Sequence, residues 1–174
     1  IDTNNNTIFV IGAVDISVYP GGPVRIQKRD TTTGTLFSGF DGDGVVDINN
    51  SGQCTSSCFI NDVTDIVFDG GYIYLAGSDA HWAGTFWNSR WYIQKRDSAT
   101  GALVTSFDGD GVVISDSNIA QSSPEQISEL AVDSTAIYAV GYDVAADGDR
   151  RWRIESFDKA TGTPIPGFGS NGRL

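Results

Sequence analysis

The chain has 174 residues, 22 Asp and Glu against 11 Lys and Arg for a formal charge of −11, and 40% hydrophobic with 11% aromatic residues. That composition suits one globular domain or a few repeats, while the acidic excess would repel a phosphate backbone or an anionic lipid surface, so nucleic acid is not an expected partner. No apolar run approaches the roughly 18 residues that a spanning helix needs, and membrane insertion is not expected either.

From the N-terminus onward, short β-prone runs alternate with Gly, Asp and Asn punctuation. Ile8-Phe9-Val10-Ile11-Gly12 comes first, then Val24-Arg25-Ile26-Gln27-Lys28-Arg29-Asp30, a Thr33-Gly34 turn, and Phe40-Asp41-Gly42-Asp43-Gly44. The middle of the chain repeats this series. Its strands are predicted at 65–68, 72–77 after an Asp69-Gly70-Gly71 turn, 91–95, and near 102–106, with Thr100-Gly101 and Phe107-Asp108-Gly109-Asp110-Gly111 in the matching places. The third pass gives Ile137-Tyr138-Ala139-Val140-Gly141, Trp152-Arg153-Ile154-Glu155-Ser156-Phe157-Asp158, Thr161-Gly162 and Phe168-Gly169-Ser170-Asn171-Gly172. The period is about 65 residues, and no helical stripe persists for ten residues anywhere.

Four strands per unit predict an all-β chain of three four-stranded propeller-type blades, at about 1–61, 62–125 and 126–174. By register, Ile1-Asp2 matches the ends of first strands at Phe68-Asp69 and Val132-Asp133, so the first blade is expected to lack most of its first strand. Three blades make a partial propeller. The alternatives are a piece of a longer repeat chain, two copies in a six-bladed ring, or copies added head to tail, and Trp91 and Trp152 at equivalent positions are both expected to pack between blades.

The run from the third strand through the Thr-Gly turn to Phe-x-x-x-Gly-Val-Val resembles the delta-sixty repeat of secreted bacterial and archaeal propeller proteins, and the layout is similar to NHL and YVTN-type blades. The resemblance spans nearly the whole chain. It implies blade architecture and leaves function open among structural, adhesive and ligand-binding roles. The segment 79–88 and the loop 114–125 depart from a minimal repeat.

Extracellular or cell-surface localisation is the expectation. The chain has no Met, even at position 1, as a processed chain or a fragment would. Cys54 and Cys58, four apart in a polar stretch, read as a small disulfide loop, since the only His, His81, is too distant to complete a metal site with them. Asn5-Asn6-Thr7 and Asn49-Asn50-Ser51 fit the N-glycosylation pattern at Asn5 and Asn49, which matters only in a secreted chain.

Asp41 and Asp43, with Asp47, resemble half of a calcium loop, and Asp108 and Asp110 repeat the first two acids. The loop's fifth position is Val45, the counterpart of Asp47 is Ile114, and the third copy has no acid, so a plain Asp-Gly turn competes with calcium. No other cofactor is implied. Trp82, Phe86 and Trp87 stand in a predicted loop, as a subunit contact or as a platform for sugar rings. With one His and no nucleophile elbow or phosphate-cradling Gly loop, catalysis is not expected. The expected function is secreted structural or adhesive assembly with copies of itself or further blades, the alternative being a glycan- or ligand-binding module of a larger protein.

Overall fold

A computed structural model describes residues 6–14, 23–49, 58–82, 84, 87–116, 125–145 and 147–174. The described residues hold β-strands and no helix. In chain order these are β1 (Thr7–Ala13), β2 (Val24–Asp30), β3 (Val45–Ile48), β4 (Cys58–Asp69), β5 (Tyr72–Trp82), β6 (Trp87–Asp97), β7 (Val112–Ser115), β8 (Gln126–Val132), β9 (Ala136–Val144) and β10 (Arg150–Asp158). They form three antiparallel sheets, ordered β1-β2-β3, β4-β5-β6-β7 and β8-β9-β10.

Alternate residues of a strand point to opposite sides, so each sheet has a leading face toward the next sheet in the chain and a trailing face toward the previous one. Phe9, Val24, Ile26 and Val46 on the first sheet's leading face form a core with Ile73, Leu75, Tyr92 and Val112 on the second sheet's trailing face. A second core repeats the arrangement, with Tyr74, Ala76, Trp91 and Ile93 packed on Ile127, Leu130, Ile137 and Phe157 of the third sheet. The middle sheet is therefore apolar on both faces, which is why its inner strands read as continuous buried runs.

The strands of the second sheet depart from the sequence expectation, with β5 and β6 running beyond 72–77 and 91–95. Residues 102–106 touch the edge of β6 through a single bridge, Arg96 to Leu103, and the fourth strand is β7 instead, paired with Trp91 to Gln94. The edge of β6 is shared in sequence. Val104 N–H donates to Lys95 O at 2.9 Å, the chain then turns through Phe107 and the Asp-Gly loop, and Lys95 N–H donates to Gly111 O at 3.0 Å where β7 begins. The first strand of this sheet is also far longer than 65–68. It crosses two register shifts, at Ile60/Asp62 and Val63/Asp65, which the polar residues before Asp65 conceal from a hydrophobic count. In the third sheet Gly172 to Leu174 stand in the place where β7 begins, and Ile154 and Leu174 exchange backbone hydrogen bonds of 3.1 and 2.9 Å.

The repeated motifs make the joints between sheets. Asp30, Asp97 and Asp158 each accept backbone N–H bonds from the two following turn residues and a hydroxyl bond from Thr33, Thr100 or Thr161, closing the Thr-Gly turn. That turn is then clasped by the preceding sheet, since Asp41 N–H donates to Thr100 O at 2.9 Å and Asp108 N–H to Thr161 O at 2.7 Å. Lysine adds a second clasp: Lys28 Nζ donates to Ser98 O at 2.8 Å and Lys95 Nζ to Lys159 O at 2.7 Å. At the third joint position the lysine is Ser156, whose buried hydroxyl has no hydrogen-bond partner.

Candidate interaction surfaces

The outermost faces of the stack are chemically unlike. On the leading face of the third sheet, Trp152 is 89% exposed and Leu174 63%, whereas their repeat counterparts Trp91 and Val113 are 1% and 5% exposed. The expectation that Trp152 packs between sheets is thus corrected. Repeat equivalence fixes the side to which Trp152 points, but burial requires a following sheet, and no described residue of one covers it. Tyr142 is its cross-strand partner, and further along the same face Tyr138 and Phe168 have ring centroids 6.0 Å apart.

The trailing face of the first sheet is amphipathic. Val10, the counterpart of buried Leu75, is 44% exposed. Arg25 and Asp47 stand where the second sheet has Tyr92 and Ile114, and they pair through two bonds of 2.7 Å, Nε to Oδ1 and NH2 to Oδ2. This fork holds the Arg25 guanidinium above its ordinary pKa, chiefly through the bond from Asp47, and the same bond holds the Asp47 carboxyl low.

Between the second and third sheets lies a polar network that sequence reading missed. Arg153, the repeat counterpart of Arg25, is 1% exposed and ion-paired with Glu125 and Glu155. Its guanidinium carbon stands 4.2 Å from the Trp91 ring centroid, and Arg173 Nε donates to Glu155 Oε1 at 2.6 Å. Ser115 Oγ bonds the same carboxylate oxygen, and a cleft of about 520 Å³ opens over Glu155 and Arg173. The signal was present in the alignment of Arg153 with Arg25 and Tyr92, but nothing local in the sequence names Glu125 as its partner. A second cleft, about 550 Å³, contains Lys95, whose ammonium faces the Tyr72, Tyr74 and Phe107 rings at 4.5–5.6 Å. Burial and then the neighbouring Lys159 lower the Lys95 pKa, while burial pushes the Tyr74 phenol to about 12.

Trp82 and Trp87 are not in a loop: they face each other as the last pair of the β5–β6 hairpin, rings 5.2 Å apart and tilted by 58°. The strands outlast the repeat's minimal length because Ser78 to Trp82 pair residue for residue with Trp87 to Trp91. Both rings are about two-fifths exposed, at 39% and 42%, and behind them Arg90 holds buried Asp79 through bonds of 3.0 and 2.6 Å. Phe86 lies outside the described residues. So do Cys54 and Asn5, and of Cys58 only the backbone, at the start of β4, is described; Asn49 is exposed just after β3.

Asp41 and Asp108 both adopt left-handed backbone conformations, φ 51°, at the head of their Gly turns. Asp43 Oδ1 accepts the Val45 N–H at 2.8 Å and Asp110 Oδ1 the Val112 N–H at 2.9 Å, so each of these carboxylates closes its own turn. No cluster of three or more His, Cys, Asp or Glu side chains that would hold a metal ion occurs among the described residues. No helix among them is long and apolar enough to cross a membrane.

Fold and surfaces together define, among the described residues, three antiparallel sheets packed in series, with one outer face that exposes Trp152 and Leu174 and another that sets the Arg25–Asp47 pair beside exposed Val10. No protein-family model matches the chain, and no curated protein or solved structure matches it.

Proposed function

We propose that this is a secreted structural repeat protein, built of propeller-type blades of the delta-sixty kind, that works by self-assembly and performs no reaction of its own. One observation carries the reading: Trp152 is 89% exposed at the position where Trp91 is 1% exposed. An exposed Trp on one face with Tyr142, Leu174, Tyr138 and Phe168 gathers apolar surface of the kind that marks an association site on soluble proteins. The blade reading is supported by the way adjacent sheets bury their facing sides on each other through the same clasp. Secretion rests on the cysteine spacing and the glycosylation patterns.

The test is the mass of the purified chain in solution across a wide concentration range. Species heavier than 18.6 kDa that grow with concentration are expected; a chain of that mass at every concentration refutes self-assembly.

A second reading, glycan binding, is favoured by the paired exposed rings of Trp82 and Trp87, which offer an apolar platform at the tip of a hairpin. Retention on immobilised polysaccharide that is lost in the Trp82→Ala, Trp87→Ala double variant would support it, and equal retention would remove it.

A further inference from the structure

We propose that the leading face of the third sheet binds the trailing face of the first sheet of a second copy, with Trp152 laid over Arg25. This deepens the self-assembly reading and rests on it. The joint between the second and third sheets already contains the contact: Trp91 on the leading face stacks on the guanidinium of Arg153 on the trailing face, 4.2 Å from ring centroid to Cζ. Trp152 is the repeat counterpart of Trp91, and Arg25 is the counterpart of Arg153. Both arginines are held by carboxylates, Arg153 by Glu125 and Glu155, and Arg25 by Asp47. Such a fork fixes the guanidinium plane in advance, which lowers the ordering cost of stacking.

A charged residue on the first sheet's outer face suggests at first a solvated cap, as terminal repeats often carry. Arg153 argues against that. The same residue type at the same repeat position is 1% exposed under a tryptophan, so arginine here is compatible with a covered face.

The backbone of the joint points the same way. Gly101 and Gly162, in the Thr-Gly turns of the second and third sheets, press on Val46 and Val113 of the preceding sheet, while Gly34 in the first sheet's turn has no atom within 4 Å of the place a Cβ would take. The surface that Gly34 would cover in a second copy is Leu174 and Phe168, the counterparts of Val113 and Phe107. By the same correspondence Gly169 N–H, in the place of Asp41 and Asp108, would donate to Thr33 O of the second copy. The lysine clasp has no counterpart, because Ser156 occupies that position, and among the described residues the first sheet has no strand in the place of β8. The two faces differ, so the contact is heterologous, and each copy keeps one free face until a ring closes or a filament grows.

Three variants of the whole chain test this. Trp152→Ala removes the ring. Arg25→Gln removes the cation. Gly34→Asn keeps the left-handed backbone, which asparagine tolerates, but fills the space that a neighbour needs. Each touches only exposed or half-exposed surface, and circular dichroism with thermal melting confirms that the fold is kept. Association by sedimentation velocity is expected to weaken by about 30-fold or more in each, the loss typical of an interface hot spot. Trp152→Ala and Gly34→Asn damage opposite faces, so an equimolar mixture of the two is expected to form a two-chain species that neither forms alone.

Wild-type self-association that survives all three substitutions overturns this joint while leaving self-assembly standing. A wild-type chain that stays monomeric overturns both, and assigns the Trp152 face to a different partner, such as a further repeat of a longer chain.

Discussion

Gly101 and Val46 belong to adjacent sheets and meet so closely that a Cβ on the glycine would stand 2.7 Å from the valine Cγ2, with the Phe40 ring at 3.2 Å. The glycine also holds φ +80°. Gly101→Ala therefore costs about 1–2 kcal/mol for the left-handed backbone and a further ~1–3 kcal/mol for forced repacking of the joint. Gly42→Ala, at φ +88° with nothing within 4 Å, carries the first cost alone. Urea unfolding at low chain concentration should separate the two variants, and equal losses would mean that the Thr-Gly turn is not a packing element.

Arg153 is the least exposed charge in the joint between the second and third sheets, at 1%, with Glu125 and Glu155 at 3% and 5%. Removing it takes from buried Glu125 and Glu155 the cation they share, leaving Glu155 its pair with Arg173, and takes from Trp91 its stacking guanidinium. Arg153→Ala is expected to lower stability by about 3–5 kcal/mol, the range for breaking a buried pair from one side. Arg151→Ala, whose pair with Asp147 is more than half exposed at both ends, should change the unfolding midpoint little. A comparable small effect for Arg153→Ala would show that water reaches the network freely.

The turn aspartates set the acid limb of stability. Backbone and hydroxyl bonds from Thr33 hold Asp30 below its ordinary 3.8, and those from Thr161 hold Asp158 low; at Asp97 burial opposes ionisation, but the bonds from Thr100 and Ala99 outweigh it. A carboxyl with a depressed folded pKa contributes stability that is present above the unfolded value and lost as pH falls through the folded one. Stability should thus decline below about pH 4. Asp108 has the opposite sign, raised by burial first and Asp110 second, so its ionisation costs stability at neutral pH. Asp108→Asn, which suits φ 51°, is expected to raise the unfolding midpoint at pH 7 and to lose that advantage in acid. A midpoint unchanged at pH 7 would place Asp108 in open water.

The repeat made much of the fold readable, because Thr-Gly turns and paired β-runs recur at matching positions and each recurrence is a joint. What escaped depends on partners distant in sequence. Residues 102–106 look like a fourth strand by composition, but the edge of β6 admits them for one bridge before β7 takes the ladder. Trp82 and Trp87 read as loop residues because segment 79–88 departs from the minimal repeat, whereas the long hairpin carries pairing up to both rings. Trp152 and Trp91 are indistinguishable in sequence, and only the presence of a covering sheet separates a buried ring from an exposed one. Glu125 lies 28 residues before Arg153, beyond the reach of any local pattern.

Calcium is the remaining question that the turn chemistry answers with a number. Asp43 and Asp110 each already spend an oxygen on a backbone N–H within 2.9 Å, so binding an ion would compete with the bond that closes the turn. The melting temperature is therefore expected to stay the same in excess calcium and in chelator. A site occupied at a hundred times its dissociation constant would add about 2.7 kcal/mol, a shift of several degrees in a chain of this size. A shift of that size, abolished by Asp43→Asn or Asp110→Asn, would assign the Asp-Gly turns to the ion after all.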